Sequence, residues 1–300
     1  MKKLFLILVL QFLVLHYVLG QQELFIPNGE NTLHTMLYGD KSREAIILLH
    51  GGPGVPDAMQ QVVDVLKENY YVVTFEQRGA GLSSISNKDY SMNAYVSDIE
   101  AIADSLDLTS FHLFGHSWGG LYAQIYAEQH PDRLLSLFLC SSGTGTGEVW
   151  KKCEREVLRS NKESCANGDW LRMGYYSVGG MLGSDKAYQK LFALVIRNYH
   201  QDFVDTVIID TLELSKINSD PVKYTRKYIA DYPILKKVDS TTYPVFITFG
   251  DQDIYGESQQ EVVQRYWNAE LVIIPDSGHY PWVHQEGAFN EYLEWFYKLK

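Results

Sequence analysis

Ser117 is the residue of this sequence whose surroundings point most directly to chemistry. It lies at the centre of Gly115-His116-Ser117-Trp118-Gly119, which matches the pattern G-x-S-x-G. An apolar run at 111–114 precedes the motif and a helical pattern at 121–127 follows it, which predicts a sharp turn from strand to helix. Such a turn exposes the serine hydroxyl above the sheet, beside the positive end of a helix. The motif therefore predicts a nucleophilic serine rather than a merely structural turn.

The predicted nucleophile needs a general base, because a serine hydroxyl is weakly nucleophilic at neutral pH. Proteins that use this turn carry the acid and then the histidine later in the chain than the serine. His279 follows the last predicted strand, 271–274, on a loop at the carboxyl end of the sheet, where catalytic groups gather. We predict that His279 accepts the Ser117 proton and later protonates the leaving group. His284 remains the alternative base.

The acid that would orient His279 is predicted on the loop after the strand at 245–249. Asp253 is the preferred residue, because its place three residues past the loop glycine leaves room for the chain to turn inward. Asp251 remains the alternative, and either aspartate would also suit the cap of a following helix. The acid could also follow the earlier predicted strand at 134–139. The loop at 140–143 after that strand contains no carboxylate, however, which rules out this position.

A third requirement is a pair of N–H donors for the oxyanion that forms when a serine attacks an acyl carbon. The stretch His50-Gly51-Gly52-Pro53-Gly54 follows the predicted strand at 45–49. Its glycines let the backbone approach a ligand closely. We predict that the backbone amides of Gly52 and Trp118 hold the oxyanion. The alternative is a glycine-rich turn without this role.

Two further features border the predicted site. Arg78 follows the strand at 70–75 within Glu76-Gln77-Arg78-Gly79-Ala80-Gly81, and we expect it to pair with a carboxylate and brace the loop, with a substrate contact as the alternative. The region after residue 145 is rich in aromatic side chains, of which a few are expected to form an apolar roof over Ser117. They are Trp150, Trp170, Tyr175, Tyr176, Phe192 and Tyr199.

The order of the elements predicts the α/β class. Apolar strands alternate with helical patterns, and the strands are predicted at 45–49, 70–75, 111–114, 134–139, 245–249 and 271–274. Helical stretches such as 186–198 and 203–214 interrupt this order. We predict a mostly parallel, doubly wound sheet in two parts, 21–144 and 236–300, with a helical cap at 145–235.

The N-terminus and the net charge bear on location and partners. Lys2 and Lys3 precede an apolar run at 4–15, which predicts a signal peptide over 1–20 and a secreted or periplasmic protein. An uncleaved N-terminal anchor is the alternative and would be the one membrane contact. The formal charge of −11 argues against nucleic acid and anionic membranes as partners.

The cysteines and the metal-ligand patterns set further limits. Export would place the chain in an oxidising compartment, where Cys153 and Cys165 are close enough in sequence to pair. Cys140 ends an apolar strand and is expected to be a buried free thiol. Neither C-x-x-C nor H-E-x-x-H spacing occurs, so no metal site is predicted.

Taken together, these motifs resemble the α/β-hydrolases of the proline iminopeptidase type, which carry an H-G-G-P-G oxyanion loop. The resemblance rests on four stretches within residues 24–142 and 236–300: 50–54, 77–83, 115–120 and Gly278-His279. It implies the α/β-hydrolase fold, removal of an N-terminal residue, often proline, from short peptides or amides, and no metal or organic cofactor.

The resemblance weakens in the predicted cap. The family holds the free amino group of its substrate with acidic cap residues, one of them in a W-x-x-W-E pattern that this chain lacks. The chain also has Glu76 where the family usually has aspartate. Acidic residues are nevertheless present in this region, among them Glu148, Glu154, Glu156, Asp169 and Glu213. The nucleophilic chemistry therefore carries over more directly than the specificity.

The sequence predicts a serine hydrolase that acts through an acyl-enzyme on a small molecule or short peptide with a free N-terminus. A carboxylesterase or lactonase with the same Ser-His-Asp set is the closest alternative. A binding protein without catalysis on the same fold is less favoured, because residues for all three catalytic positions are present.

Overall fold

The computed structural model describes residues 21–56, 59–200, 202–203 and 214–299. The predicted signal peptide and most of the predicted helical stretch at 203–214 lie outside these residues. Within the described ranges, no helix is both long and apolar enough to cross a bilayer.

The described strands form one eight-stranded sheet, which confirms the predicted fold class. The strands are β1 (Gln21–Asn28), β2 (Asn31–Tyr38), β3 (Ala45–Leu49), β4 (Tyr71–Phe75), β5 (Phe111–His116), β6 (Leu134–Cys140), β7 (Val245–Gly250) and β8 (Glu270–Ile274). Their order across the sheet is β1-β2-β4-β3-β5-β6-β7-β8. β2 runs antiparallel to β1 and β4, and the other neighbours are parallel.

Helices cover both faces of this sheet. They are α1 (Gln60–Leu66), α2 (Met92–Ser105), α3 (Trp118–Gln129), α4 (Gly147–Ser164), α5 (Asn167–Met181), α6 (Asp185–His200), α7 (Ser219–Asp231), α8 (Gln260–Arg265), α9 (Pro281–His284) and α10 (Glu286–Tyr297). Strand β3 shows the arrangement, because Ile47 belongs to the core shared with α2 and α3. Its neighbour Ile46 belongs to the core shared with α1 and α10. A parallel strand buried on both faces needs a continuous apolar sequence.

The N-terminal hairpin of β1 and β2 was not among the predicted strands. Its two-residue loop begins with Gly29, whose φ of 62° suits the first position of a type II′ turn. The side chains of β2 alternate between buried and half-buried positions over most of the strand. The glycine of this turn is visible in the sequence, but the apolar residues of the two strands do not alternate strictly, so the hairpin has only one of the usual signals.

The polypeptide between β6 and β7 is helical where it is described. It contains α4, α5, α6 and α7, and we call these four helices the cap helices. α5 packs against α6, and α4 packs against α7. The predicted helix at 186–198 corresponds to α6, which begins one residue earlier and ends two residues later.

The structure contradicts the possible disulfide between Cys153 and Cys165, because all three cysteines are free. Cys153 lies within α4, and Cys165 follows the last residue of that helix. Twelve residues of helix separate the two positions by about 18 Å along the helix axis. A disulfide requires Cα atoms within about 7 Å of each other, so a continuous α4 cannot close this bridge.

We expect three titratable thiols per chain in the denatured protein without reductant, because α4 keeps Cys153 away from Cys165. Titration with a chromogenic thiol reagent measures this number directly. A count of one thiol would show that the two residues are joined and that α4 is not continuous in solution.

Candidate active site

Ser117 lies at the turn from β5 into α3. Its φ of 55° and ψ of −120° are a conformation that costs a non-glycine residue energy. Close packing of the backbone imposes this turn: a Cβ at Gly119 would lie 2.1 Å from the carbonyl oxygen of Leu49, and one at Gly115 would lie 2.7 Å from that of Gly119. The two glycines of the motif are therefore required by space as well as by turn geometry.

Ser117, His279 and Asp253 form a hydrogen-bonded chain. Ser117 Oγ lies 2.9 Å from His279 Nε2, and His279 Nδ1 lies 3.2 Å from Asp253 Oδ1. Because an ionised carboxylate only accepts hydrogen bonds, His279 carries its proton on Nδ1, which leaves Nε2 free to accept from the serine hydroxyl. The histidine and aspartate side chains are almost completely buried, so solvent does not compete for these bonds.

The two alternative residues occupy other positions. Asp251 is exposed, and its carboxylate accepts the backbone N–H of Ser277 at 3.2 Å. His284 accepts the backbone N–H of Gly278 at its Nδ1, 3.0 Å away. Its Nε2 lies 2.8 Å from Nδ1 of His200. Both ring nitrogens of His284 therefore bond to groups other than Ser117. Asp251 and His284 each accept a backbone N–H from the loop that carries His279, and so support that loop.

The glycine loop after β3 lies beside the serine. A Cβ at Gly51 would lie 3.0 Å from the Cβ of Ser117. Gly52 has a φ of 63°, and it lines the same cavity as Ser117 and Trp118. Trp118 is the first residue of α3, so its backbone N–H is among the helix donors that have no partner within the helix. This places both predicted donor residues at the cavity wall.

Gln77 joins the glycine loop to the serine turn, and sequence reasoning missed it. Its side-chain amide donates to the carbonyl of His50 at 2.7 Å and accepts the indole N–H of Trp118 at 2.8 Å. The backbone N–H of Gln77 also donates to His50 Nε2 at 3.2 Å. Its position directly past β4, among the other loops at the carboxyl ends of the strands, is a signal that was available.

Arg78 forms a buried ion pair that holds the same loop. Its Nε and Nη2 both donate to the Asp98 carboxylate at 2.8 Å, and Nη1 donates to the Asp89 carbonyl. Both side chains of the pair are almost fully excluded from solvent. Breaking such a pair by removing one partner costs about 3–5 kcal/mol. Each of the three guanidinium nitrogens donates to a protein group, as expected for a residue that braces the loop.

His116 packs directly behind His279. Burial, followed by the nearby His279, holds the pKa of His116 well below its usual range, so the ring is neutral. Its Nε2 donates to the backbone carbonyl of His279 at 2.9 Å. The ring also meets Trp282 edge to face. His116, the variable residue before Ser117 in the motif, therefore fixes the backbone of His279, whose side chain hydrogen-bonds to Ser117.

A cavity of about 570 Å³ lies between the cap helices and the carboxyl ends of the strands. Ser117 and His279 line it, and Tyr255 places its hydroxyl 3.1 Å from Ser117 Oγ. Of the aromatic residues expected as a roof, Trp150, Trp170, Tyr175, Phe192 and Tyr199 line this cavity. Tyr176 instead contacts Tyr175 and the ammonium of Lys190.

Among the residues between β6 and β7 that the structure describes, Glu154 is the acidic one that lines the cavity. Its Oε1 accepts from Nε of Arg226 at 2.7 Å, and Arg226 also lines the cavity. The other acidic residues that sequence reasoning named differ in position: Glu148, Glu156 and Asp169 form ion pairs with Lys151, Arg159 and Arg172, and Glu213 lies outside the described residues. Among the side chains that are described, no group of three His, Cys, Asp or Glu is placed to hold a metal ion.

Comparison with known proteins supports the fold described above. A family model described as alpha/beta hydrolase fold matches residues 44–163. A proline iminopeptidase from Lactobacillus helveticus is 34% identical over 288 residues, covering 89% of this chain and 94% of the relative. A second proline iminopeptidase, from Lactobacillus delbrueckii subsp. lactis, is 23% identical, and the alignment covers 90% of this chain and 96% of the relative.

Solved structures are similar in fold at low sequence identity. A 2-hydroxy-6-oxo-6-phenylhexa-2,4-dienoate hydrolase from a Rhodococcus species has a TM-score of 0.71 at 17% identity, covering 93% of this chain and 99% of that one. A proline iminopeptidase-related protein from Thermus thermophilus has a TM-score of 0.66 at 20% identity, covering 91% of this chain and 96% of that one. The fold and the site therefore define an α/β-hydrolase. Within that class, the chain belongs to the family of the proline iminopeptidases.

We expect acid to destabilise the fold through the pair of His200 and His284. Burial first, and neighbouring histidines second, lower the pKa of His200 to about 4 and that of His284 to about 3. The unfolded chain takes up protons near pH 6.5 that the folded chain does not. The contribution of these two histidines to the free energy of unfolding is therefore fully present above pH 6.5 and is lost as the pH falls toward 4.

Urea unfolding at pH 7.5, 6.0 and 5.0 measures this dependence. The free energy of unfolding should fall with pH in the unaltered protein, and the fall should be smaller in His284→Gln, whose amide retains a donor and an acceptor. Equal pH dependence in the two proteins would contradict the expectation.

Proposed function

We propose that this chain is a serine hydrolase that works through an acyl-enzyme. Ser117 is the nucleophile, His279 is the general base, and Asp253 orients the imidazole. The observation that carries the proposal is the buried hydrogen-bonded chain from Asp253 through His279 to Ser117, which opens onto a cavity large enough for a small ligand.

In the first half of the reaction, Ser117 Oγ bonds to the acyl carbon as its proton moves to Nε2 of His279. Negative charge develops on the acyl oxygen, and the backbone amides of Gly52 and Trp118 stabilise it. The imidazolium then protonates the leaving group as the scissile bond breaks. Water attacks the acyl-enzyme in the second half, with His279 again as base.

We further propose that the enzyme is an aminopeptidase of the proline iminopeptidase type, which releases the N-terminal residue from short peptides or amides. Relatives of that name align with nearly the whole chain, which supports this choice. Glu154 adds a second line of support, because a carboxylate at the cavity wall is the group that would attract a substrate ammonium. The cavity of about 570 Å³ beneath the cap helices is of a size that suits short substrates.

A carboxylesterase or lactonase is the second candidate function, and one observation favours it. The Glu154 carboxylate is already paired with Arg226, so a substrate amine would have to compete with a resident guanidinium. Much of the remaining cap lining consists of apolar and aromatic side chains, which suits an uncharged acyl group.

We expect Ser117→Ala to abolish hydrolysis of aminoacyl arylamides and of activated esters, because it removes the attacking oxygen. Rates of aminoacyl arylamides, their N-blocked counterparts and simple esters, measured side by side, separate the two candidate functions. A requirement for a free amine supports the aminopeptidase, and equal rates with blocked substrates support the esterase. Unchanged turnover in Ser117→Ala would contradict the nucleophile assignment itself.

We expect Glu154→Gln to raise KM for free-amine substrates about tenfold or more, since an ion pair with the substrate is lost, while N-blocked substrates are affected little. Steady-state kinetics on matched arylamides measures the difference. Glu148→Gln is the control, because Glu148 is exposed and pairs with Lys151. An equal effect of Glu154→Gln on blocked and free substrates would show that the residue does not bind the amine.

A further inference from the structure

The hydroxyl of Tyr255 is a second polar group on Ser117 that the proposed reaction does not use. It lies 3.1 Å from Ser117 Oγ. The Tyr255 ring meets His279 edge to face, with ring centroids 5.2 Å apart. The tyrosine side chain therefore contacts both groups that exchange the proton.

The backbone around Tyr255 holds this hydroxyl in place. The N–H of Tyr255 donates to Asp253 Oδ1 at 3.2 Å, the same oxygen that faces His279. The carbonyl of Tyr255 accepts the hydroxyl of Ser258 at 2.6 Å. The side chains of Tyr255 and Ser258 are buried. The loop that supplies the acid thus also positions the phenol, so the two groups are placed together.

The direction of the hydrogen bond follows from the partners of Ser117. The serine hydroxyl has one proton, which it donates to Nε2 of His279 because Nδ1 of that ring carries the proton facing Asp253. Burial holds the pKa of the Tyr255 phenol well above its usual range, so the phenol keeps its proton. Tyr255 is therefore the donor, and a lone pair of Ser117 Oγ is the acceptor.

We propose that Tyr255 is a further catalytic residue, whose hydroxyl stabilises negative charge on Ser117 Oγ. The inference rests on the proposed role of Ser117 as nucleophile. In acylation, Oγ gains charge as its proton passes to His279. In deacylation, the bond between Oγ and the acyl carbon breaks, its electron pair returns to Oγ, and His279 returns a proton to that atom. Tyr255 donates a hydrogen bond in both steps and transfers no proton.

This role differs from that of the oxyanion donors. The amides of Gly52 and Trp118 are assigned to the oxygen of the substrate, whereas Tyr255 contacts the oxygen of the enzyme. A hydrogen bond to a charged group is worth more than one to a neutral group. The contact is therefore stronger at the moment when Oγ carries charge than in the resting enzyme, which is the condition for accelerating the chemical step.

The primary test is Tyr255→Phe, which keeps the ring against His279 and removes the hydroxyl. We expect kcat/KM for an activated ester to fall about 10- to 100-fold, and inactivation by diethyl p-nitrophenyl phosphate to slow by a similar factor. Tyr126→Phe is the control, because it removes a tyrosine hydroxyl bonded to Glu100 in the core, outside the cavity lining. It should keep both rates within about threefold.

A second measurement separates a role at Oγ from a structural role. In a Ser117→Cys background the attacking atom is a thiolate, which needs less stabilisation than an alkoxide. Adding Tyr255→Phe there should change the rate of acylation by an activated ester less than about threefold. An equal loss in the serine and cysteine backgrounds would overturn the inference, because Tyr255 would then act at another atom or through folding.

The failure of this inference is distinguishable from failure of the proposed function. If Ser117→Ala hydrolyses substrates as fast as the unaltered protein, the proposed nucleophile is wrong. If Ser117→Ala is inactive while Tyr255→Phe retains full turnover and full reactivity toward the phosphate ester, only the assignment of Tyr255 is wrong.

Discussion

The site depends on one steric constraint, the close approach of α3 to the end of β3. Gly119 leaves no room for a Cβ between its own backbone and the carbonyl of Leu49, and this contact seats the start of the helix against the sheet. The chain between β5 and α3 must then turn within a single residue, which is why Ser117 has a positive φ. The packing of two glycines against backbone thus stabilises a conformation that an isolated serine would avoid.

Buried polar contacts then align the other loops with this turn. Gln77 connects the glycine loop to Trp118, and the ion pair of Arg78 with Asp98 anchors the loop that carries Gln77. On the opposite side, His116 holds the backbone of His279. Each contact links loops from different strands, so together they maintain the distances on which the hydrogen-bonded chain of the site depends.

Much of the fold could be predicted because parallel strands buried on both faces require continuous apolar runs, as at β3 and β7. The hairpin of β1 and β2 was missed because its strands contain only two or three consecutive apolar residues among polar ones, without strict alternation. The possible pairing of Cys153 with Cys165 was wrong for a different reason. Closeness in sequence suggests a short loop, but a continuous helix separates the two residues by several turns.

The sequence by itself determined the α/β-hydrolase fold, since local motifs specify the serine turn, the glycine loop and the histidine loop through short-range backbone requirements. Only the tertiary structure shows that Asp253, and not Asp251, lies within hydrogen-bond distance of His279, and that His279, and not His284, lies beside Ser117. Residues a few positions apart on one loop differ only in where the folded loop directs them. The tertiary structure also brought Tyr255 to Ser117 and Glu154 to the cavity wall. Those contacts join segments that are distant in sequence, and spacing along the chain carries no information about them.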